Sequence, residues 1–479
     1  MDGRASFTAP LPAVMRRPVA RATAPEARRE VMLSGPIVGT LLRLALPTIV
    51  VVTAQALVGV LETYFVGFLG TDALAGVALV FPVVMLMQMM SAGGMGGGVA
   101  SAIARALGAG RRANAEAIAL HSVVIAIALG LVFTIAAFAW GPSLYRLLGG
   151  RGAALEAAIT YSNIVFAGGV ALWLLNTFGA VLRGAGNMVL PARVSLVGAV
   201  LVVPLSALLI FGWGPLSGFG IAGAGYAFVS YNISAAAVLA FYLVSGRSGV
   251  ALRVAGVRFK ARHFLDILGV GAISALMTVQ ANLIVIVVTG LVGALGTAAL
   301  AGYGLASRLD YLLIPFLFGL GSAAVTLVGT NVGAGQAARA RRIVWTAVAI
   351  GAGATQLVGL VVAAAPWFWL GIFTEAADVL SAGQTYLGIV GPSYGFLGAA
   401  MILYFSSQGA GRMRWPFVGS IVRLALATIG SWLAVSQFET GLAGLSVVIA
   451  VSLIASGLLS AFALRGGAWV TRTETRSSP

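Results

Sequence analysis

Gly70-Thr71-Asp72-Ala73-Leu74-Ala75-Gly76 returns as Gly296-Thr297-Ala298-Ala299-Leu300-Ala301-Gly302, at a spacing of 226. Leu107-Gly108-Ala109-Gly110 returns as Val332-Gly333-Ala334-Gly335 at a spacing of 225. Arg183-Gly184-Ala185-Gly186 with Pro191 returns as Gln408-Gly409-Ala410-Gly411 with Pro416, again at 225. Three matches at essentially one spacing mark an internal duplication. Around these glycine-rich turns lie apolar runs of about 20 residues or more, each long enough to cross ~30 Å of hydrocarbon as a helix. They fall near 44–69, 73–100, 117–140, 159–182, 189–212, 220–246, 265–294, 298–332, 343–365, 384–407, 416–437 and 441–464. Six runs belong to each copy. An even number brings both copies into the membrane from the same side, so the repeat is parallel, with its axis along the membrane normal. The expected fold is an all-α polytopic membrane protein: twelve transmembrane helices in two pseudo-symmetric six-helix bundles. Its expected divisions are a disordered tail over 1–34, bundles over 35–246 and 265–465 joined by a basic linker over 247–264, and a second tail over 466–479.

Composition supports the spans and narrows the chemistry. Hydrophobic residues make up 60% of the 479 and charged residues 9%, where a soluble domain carries about 25% charge. Cysteine is absent and histidine is limited to His121 and His263, which excludes thiolate chemistry and a His-rich metal site. The single lysine, Lys260, stands in Val257-Arg258-Phe259-Lys260-Ala261, which is no phosphate-binding loop. No cofactor is expected, and any driving energy comes from a gradient or a partner. A net charge of +16 ordinarily raises the question of nucleic acid. The positions of the cations answer it. Arg146 and Arg151 fall on one side, Arg308 and Arg423 fall inside spans, and the other 25 of the 29 cations share the side of the chain termini. By the positive-inside rule that tail side is cytoplasmic, so the basic excess reports topology and its partners are anionic lipid headgroups. A bacterial inner membrane, both termini cytoplasmic, and a monomer that binds no nucleic acid are the expected setting.

Of the thirteen carboxylates, only Glu62 and Asp310 fall inside spans. An intramembrane acid costs at least about 2.5 kcal/mol to insert and is a functional hypothesis by default. The repeat mate of Glu62 is Val288, so the fold itself does not require the acid. Burial disfavours the charged form of a carboxylate because that form loses water, which suits a group that takes up and releases a proton. Asp310 and Arg308 stand two apart on one helix and do not face each other; Asp310 is read either as an ion-coupling group or as half of a charge pair with another helix. Arg423 is read as snorkelling to the cytoplasmic face. In-span polar residues supply candidate substrate contacts: Gln55, Tyr64, Gln88, Asn176, Asn232, Gln280, Asn282, Tyr303 and Arg308. For each amide the competing reading is a hydrogen bond to a neighbouring helix. The Gly93-Gly94-Met95-Gly96-Gly97-Gly98 run is read as a close helix approach or a hinge, and His121 as an interface residue.

Taken in order, Leu44-Ala45-Leu46-Pro47, Leu61-Glu62-Thr63-Tyr64-Phe65-Val66-Gly67, Leu69-Gly70-Thr71-Asp72-Ala73-Leu74-Ala75, Leu182-Arg183-Gly184-Ala185-Gly186-Asn187, Ala306-Ser307-Arg308-Leu309-Asp310 and Gly329-Thr330-Asn331-Val332-Gly333-Ala334-Gly335 resemble the multidrug and toxic compound extrusion (MATE) family over about residues 35–465. The resemblance implies export of bulky, usually cationic and amphipathic compounds, driven by inward flow of H⁺ or Na⁺. Where the family carries Asp in an Asp-Thr-x-Phe-Val-Gly pattern, this chain has Glu62. Two departures weigh against sodium. Ala199-Val200-Leu201-Val202-Val203-Pro204 lacks the Asn and Asp that some members hold there, and Gln280 replaces a possible acid. The reading is therefore a non-enzymatic proton antiporter with alternating access around a central cavity. The alternative is a lipid or lipid-linked oligosaccharide flippase of the same superfamily, which calls for cationic residues in the cavity.

Overall fold

The computed structural model describes residues 24–253 and 258–465. In chain order its helices are α1 (Ala24–Ser34), α2 (Ile37–Gly67), α3 (Thr71–Met89), α4 (Gly96–Gly108), α5 (Arg112–Leu147), α6 (Gly152–Ala167), α7 (Gly169–Gly184), α8 (Val189–Phe211) and α9 (Ile221–Val244) in the first half. The second half holds α10 (Ala261–Ala294), α11 (Thr297–Gly333), α12 (Ala337–Ala364), α13 (Pro366–Leu370), α14 (Ala377–Val390), α15 (Tyr394–Ala410), α16 (Arg414–Ala425), α17 (Ser431–Ser436) and α18 (Gly441–Arg465). A two-residue hairpin, β1 (Gly212–Trp213) with β2 (Leu216–Ser217), closes the turn between α8 and α9. Eleven helical stretches among the described residues are long and apolar enough to span a membrane. The bent pair α6 and α7 makes a twelfth. The twelve expected spans are present and several are longer than hydropathy indicated, because amphipathic turns such as Arg105 to Gly108 continue the helix past the apolar run.

The duplication is visible in how helices cross. A side-chain carbon on Gly76 would strike Ala158 N and Ala157 Cβ. One on Gly302 would strike Gly383 N and Ala382 Cβ. These are the same contact in the two copies, α3 on α6 and α11 on α14, and they explain why glycine recurs in the quoted motif: small residues let helix backbones meet. The irregularities also correspond, by different means. A π-helical turn over Met90–Met95 breaks span 2, and at the equivalent point of the second copy span 8 carries Pro315. Span 5 carries Pro204, and at its equivalent point a π-helical turn, Leu426–Gly430, interrupts span 11. A proline removes a backbone donor and a π turn widens the ladder, so both loosen a helix at one place. Span 4 bends by 47° between α6 and α7, and span 10 changes to a 3₁₀ turn at Gly391–Ser393 in the corresponding position.

The halves meet toward the tail side. A side-chain carbon on Gly108 would fall on the carbonyl of Thr330, and one on Gly333 on the carbonyl of Arg105. Shifting 108 and 105 by 225 gives 333 and 330, so the contact maps onto itself about the axis that relates the two copies. The Ser101 hydroxyl lies against the carbonyls of Gln408 and Gly409, and Arg105 donates to the Gly409 carbonyl at 3.4 Å. Thr326 donates to the Arg183 carbonyl at 3.0 Å. The glycine run behaves as a close approach: Gly94 abuts Ala275, and Gly98 abuts Gly271 of α10.

One expectation is corrected. Residues 24–34 of the presumed disordered tail form α1, which lies across the seam. Arg29 donates to Leu107 O at 3.0 Å and to Gly108 O at 2.9 Å. Met32 is buried, and Asn331 donates to its carbonyl at 3.1 Å. Arg29 satisfies carbonyls at the C-terminal end of α4 that have no partner within that helix. Residues 1–23 and 466–479 lie outside the described residues, as do 254–257 of the linker. The linker that is described is anchored: His121 Nε2 accepts from Lys260 N at 2.9 Å while Nδ1 faces Ala117 O at 2.7 Å, and Glu116 accepts from Ala251 N at 3.3 Å.

Candidate functional site

Glu62 lies five residues before the end of α2, about 8 Å inside that end at 1.5 Å per residue. It is half-buried. No hydrogen bond or ion pair joins it to another described residue, and it acts electrostatically on Tyr161 of α6. Beside it α2, α8 and α9 pack through Val66, Ile210 and Ala224, with Tyr161 and Phe65 at the margin. Its repeat mate, Val288, is buried at 2% exposure in the core of the second half.

Asp310 sits in a different setting. Its Oδ1, Tyr394 Oη and Arg423 Nε are all buried, and the Tyr394 hydroxyl is the side-chain hydrogen-bonding neighbour of the carboxylate. Tyr303, Tyr386, Tyr394 and Arg423 all interact electrostatically with this carboxylate. The Tyr303 and Tyr386 rings stack edge to face at 5.1 Å. Arg423 Nε is buried and the Asp310 charge acts on it, which differs from the expectation that the side chain reaches for the membrane surface, although no direct ion pair joins the two among the described residues. Arg308 has no part in this cluster. It is exposed, with its guanidinium 5.9 Å from the Phe373 ring centre.

The polar candidates divide by what they already bond. Gln55 donates to Tyr231 Oη at 3.4 Å across α2 and α9. Asn176 donates to Ser91 Oγ at 2.8 Å, and Ser91 in turn donates to the Gln88 carbonyl at 3.0 Å. Gln280 Oε1 accepts from Ser420 at 2.7 Å. Asn232 and Asn282 donate to carbonyls one turn back on their own helices, at 2.8 and 2.9 Å. Tyr64 is 62% exposed and packs on Phe68. Gln55, Gln88, Asn176 and Glu62 belong to the first half, and Gln280, Asn282, Tyr303 and Asp310 to the second. A groove of about 840 Å³ follows the bend at Gly168 between α6, α7 and α9. It is lined by apolar side chains with Asn163 and Tyr226, and holds none of the predicted residues.

Sequence reasoning missed Tyr161 and Tyr386, which are repeat mates 225 apart, each electrostatically coupled to its own half's intramembrane acid. It also placed Arg183 among the tail-side cations, whereas this side chain lines a small cavity between the halves together with its own repeat mate, Gln408. The repeat spacing applied residue by residue points to both pairs.

Comparison with known proteins agrees with this architecture. A probable multidrug resistance protein NorM of Thermotoga maritima is 26% identical over 90% of this chain and 93% of its own length. A FAD transporter of Shewanella oneidensis is 24% identical over 90% of this chain and 95% of its own. The multidrug export protein MepA of Staphylococcus aureus is 23% identical over 92% and 96%. Among solved structures, a MATE protein in its bent conformation superposes with a TM-score of 0.86 at 24% identity, over 92% of this chain and 97% of that one. The outward-facing conformation of a multidrug resistance MATE family transporter superposes at 0.82 and 24% identity, over 91% and 97%. The MatE family model matches twice, at residues 47–208 and 272–433, and both ends of the second match are displaced from those of the first by the spacing of the internal repeat. Since these two matches cover more than half of the sequence, one in each bundle, the chain belongs to the MatE family.

Proposed function

We propose that this protein is a secondary active exporter of amphipathic organic compounds, cations foremost, working by antiport with H⁺ rather than Na⁺. The observation that carries the reading is Glu62: a half-buried intramembrane carboxylate without a bonded partner among the described residues, at a position where the other copy of the fold carries valine. An acid the fold does not need is one the transport cycle can use. Outside, Glu62 takes up a proton, which removes the charge that holds a bound cation. Inside, it gives up the proton and attracts the next one. One charge crossing the field is worth about 2.3 kcal/mol per 100 mV, so a single carboxylate provides a usable drive. Halves that meet on the tail side support the alternation, since rocking about that seam exposes the cleft to each face in turn. The relatives described as a multidrug export protein and a probable multidrug resistance protein point the same way.

In this reading Asp310 is the second carboxylate. Its electrostatic interaction with Arg423 makes it the anchor of the second half, and the coupling weight falls on Glu62. The tail side faces the cytoplasm, as the cation distribution indicates, with anionic lipid headgroups around it. The chain works as a monomer. A second reading extends the substrates beyond cations, and the relative described as a FAD transporter favours it.

The test is efflux of ethidium from proteoliposomes under imposed H⁺ and Na⁺ gradients separately. Glu62→Gln is expected to abolish proton-driven efflux while leaving the melting temperature unchanged. Full proton-driven efflux by that variant refutes the coupling assignment, and efflux driven by Na⁺ alone refutes the choice of ion.

A further inference from the structure

Arg183 ends α7, and its guanidinium lies over two glycines. Its nitrogens stand 3.1 Å and 3.7 Å from where side-chain carbons on Gly179 and Gly96 would be. It lines a cavity of about 10 Å³ with Gly93, Gly97, Ser322, Phe318 and Gln408. This cavity sits on the repeat axis. Gly93 and Phe318 are mates at 225, as are Gly97 and Ser322, and Arg183 and Gln408. No salt bridge to Arg183 and no carboxylate acting on it occurs among the described residues. Its backbone carbonyl is held across the seam by Thr326 at 3.0 Å.

The depth matters. Gly96 is twelve residues inside the tail-side end of α4 at Gly108, about 18 Å. The Arg183 backbone stands in the last turn of α7, one residue before Gly184, so the side chain is turned back from the tail side, toward Gly179 and Gly96, into the cavity between the halves. Between it and that water lie the Ser101 and Gly409 contact and the Gly108 and Thr330 crossing. The other copy of the fold has a neutral glutamine here, whose amide nitrogen lies 3.0 Å from Gly93 O, 2.9 Å from Ser274 Oγ and 2.7 Å from Tyr404 Oη. Structure alone is thus satisfied by Gln408, and the charge at Arg183 is an addition. The Arg183 side chain is partly exposed where it lines the cavity and carries no counter-ion among the described residues, and a planar guanidinium is suited to bind a carboxylate or phosphate through two parallel hydrogen bonds.

We propose that Arg183, with the Ser322 hydroxyl across the axis, is a subsite for an acidic group of the exported compound, engaged when the halves part on the tail side and open the cavity. The substrate class is then amphiphiles that carry a carboxylate or phosphate on an apolar body, zwitterions included. This deepens the exporter reading and rests on it.

The test uses two rhodamine dyes of one scaffold, the free carboxylic acid and its methyl ester, both still cationic on the xanthene. Binding to the purified full chain is measured by fluorescence polarisation, and transport is measured separately in proteoliposomes. The wild-type chain binds the acid more tightly than the ester. Arg183→Gln weakens binding of the acid about tenfold or more, the scale of one charge-assisted contact, and leaves the ester unchanged. Arg183→Lys falls between. Equal loss for both dyes makes Arg183 structural and overturns the subsite, and no loss for either overturns it too. Should the glutamine variant not fold, the wild-type preference decides: equal or weaker binding of the acid overturns the proposal. Binding of both dyes with transport of neither counts against the exporter reading alone.

Discussion

Replacing Gly108 or Gly333 by alanine perturbs the seam at its tightest point. Each added methyl falls on a carbonyl of the opposite half, Thr330 in one case and Arg105 in the other. Both carbonyls are held in the last turn of their helices by hydrogen bonds from Ala109 N and Ala334 N, at 3.0 Å each, so relief comes from parting the halves. Overpacking of this kind costs about 1–3 kcal/mol. That cost applies to the state closed on the tail side and not to the open one, so the ratio of open to closed rises roughly 5–150-fold. Because the two contacts are images of each other, the two variants should act alike. The chain has no cysteine, so nitroxides attached at Arg111→Cys and Gln336→Cys, exposed tail-side positions that are themselves repeat mates, report the separation by double electron–electron resonance. Both alanine variants are expected to shift weight toward the longer distance, and Gly59→Ala, which meets open space, to leave the distribution as it is. An unchanged distribution in both variants refutes the seam as the closing surface. A response from Gly108→Ala with none from Gly333→Ala refutes the two-fold relation.

Two further outcomes follow from named contacts. Asp310→Asn and Arg423→Gln each leave the other charge without its counter-charge, and each is expected to lower stability by about 1–3 kcal/mol; the double variant should lose less than the two combined, and strict additivity in detergent melts breaks the pairing. Arg29→Ala removes two hydrogen bonds that α1 makes to the end of α4, worth about 0.5–1.5 kcal/mol each, and is expected to raise the tail-open population several-fold in the same distance assay; no change there means that α1 rests on the seam without holding it.

The duplicated glycine motifs were legible because a close crossing of two helices demands the smallest residue at both points, whatever surrounds them. Gly76 and Gly302 carry that demand in the sequence and meet it in the structure. The bends were less legible. Pro204 and Pro315 announce themselves, and the glycine run marks the π turn at Met90–Met95, but the π turn at Leu426–Gly430 carries no comparable mark. Glu62 could be singled out because its mate is valine. Arg423 could not, since hydropathy and distance from a loop say nothing about the direction in which a side chain leaves its helix. The same blindness put Arg183 with the solvated cations.

What the amino-acid order settled alone is therefore whatever depends on one dimension: the number of spans, their parity, the spacing of the repeat and the scarcity of acids within the membrane. Those follow from transfer energy summed along the chain, and they survive any rotation of the helices. Helix rotation and crossing, which the tertiary structure alone decides, place Arg423 against Asp310, leave Glu62 beside Tyr161, turn Asn232 and Asn282 onto their own backbones and bring Arg183 to the axis facing Gln408. The physical reason is that a charge buried in a membrane is governed by the few groups within several ångströms of it, and those groups come from helices far apart in the sequence.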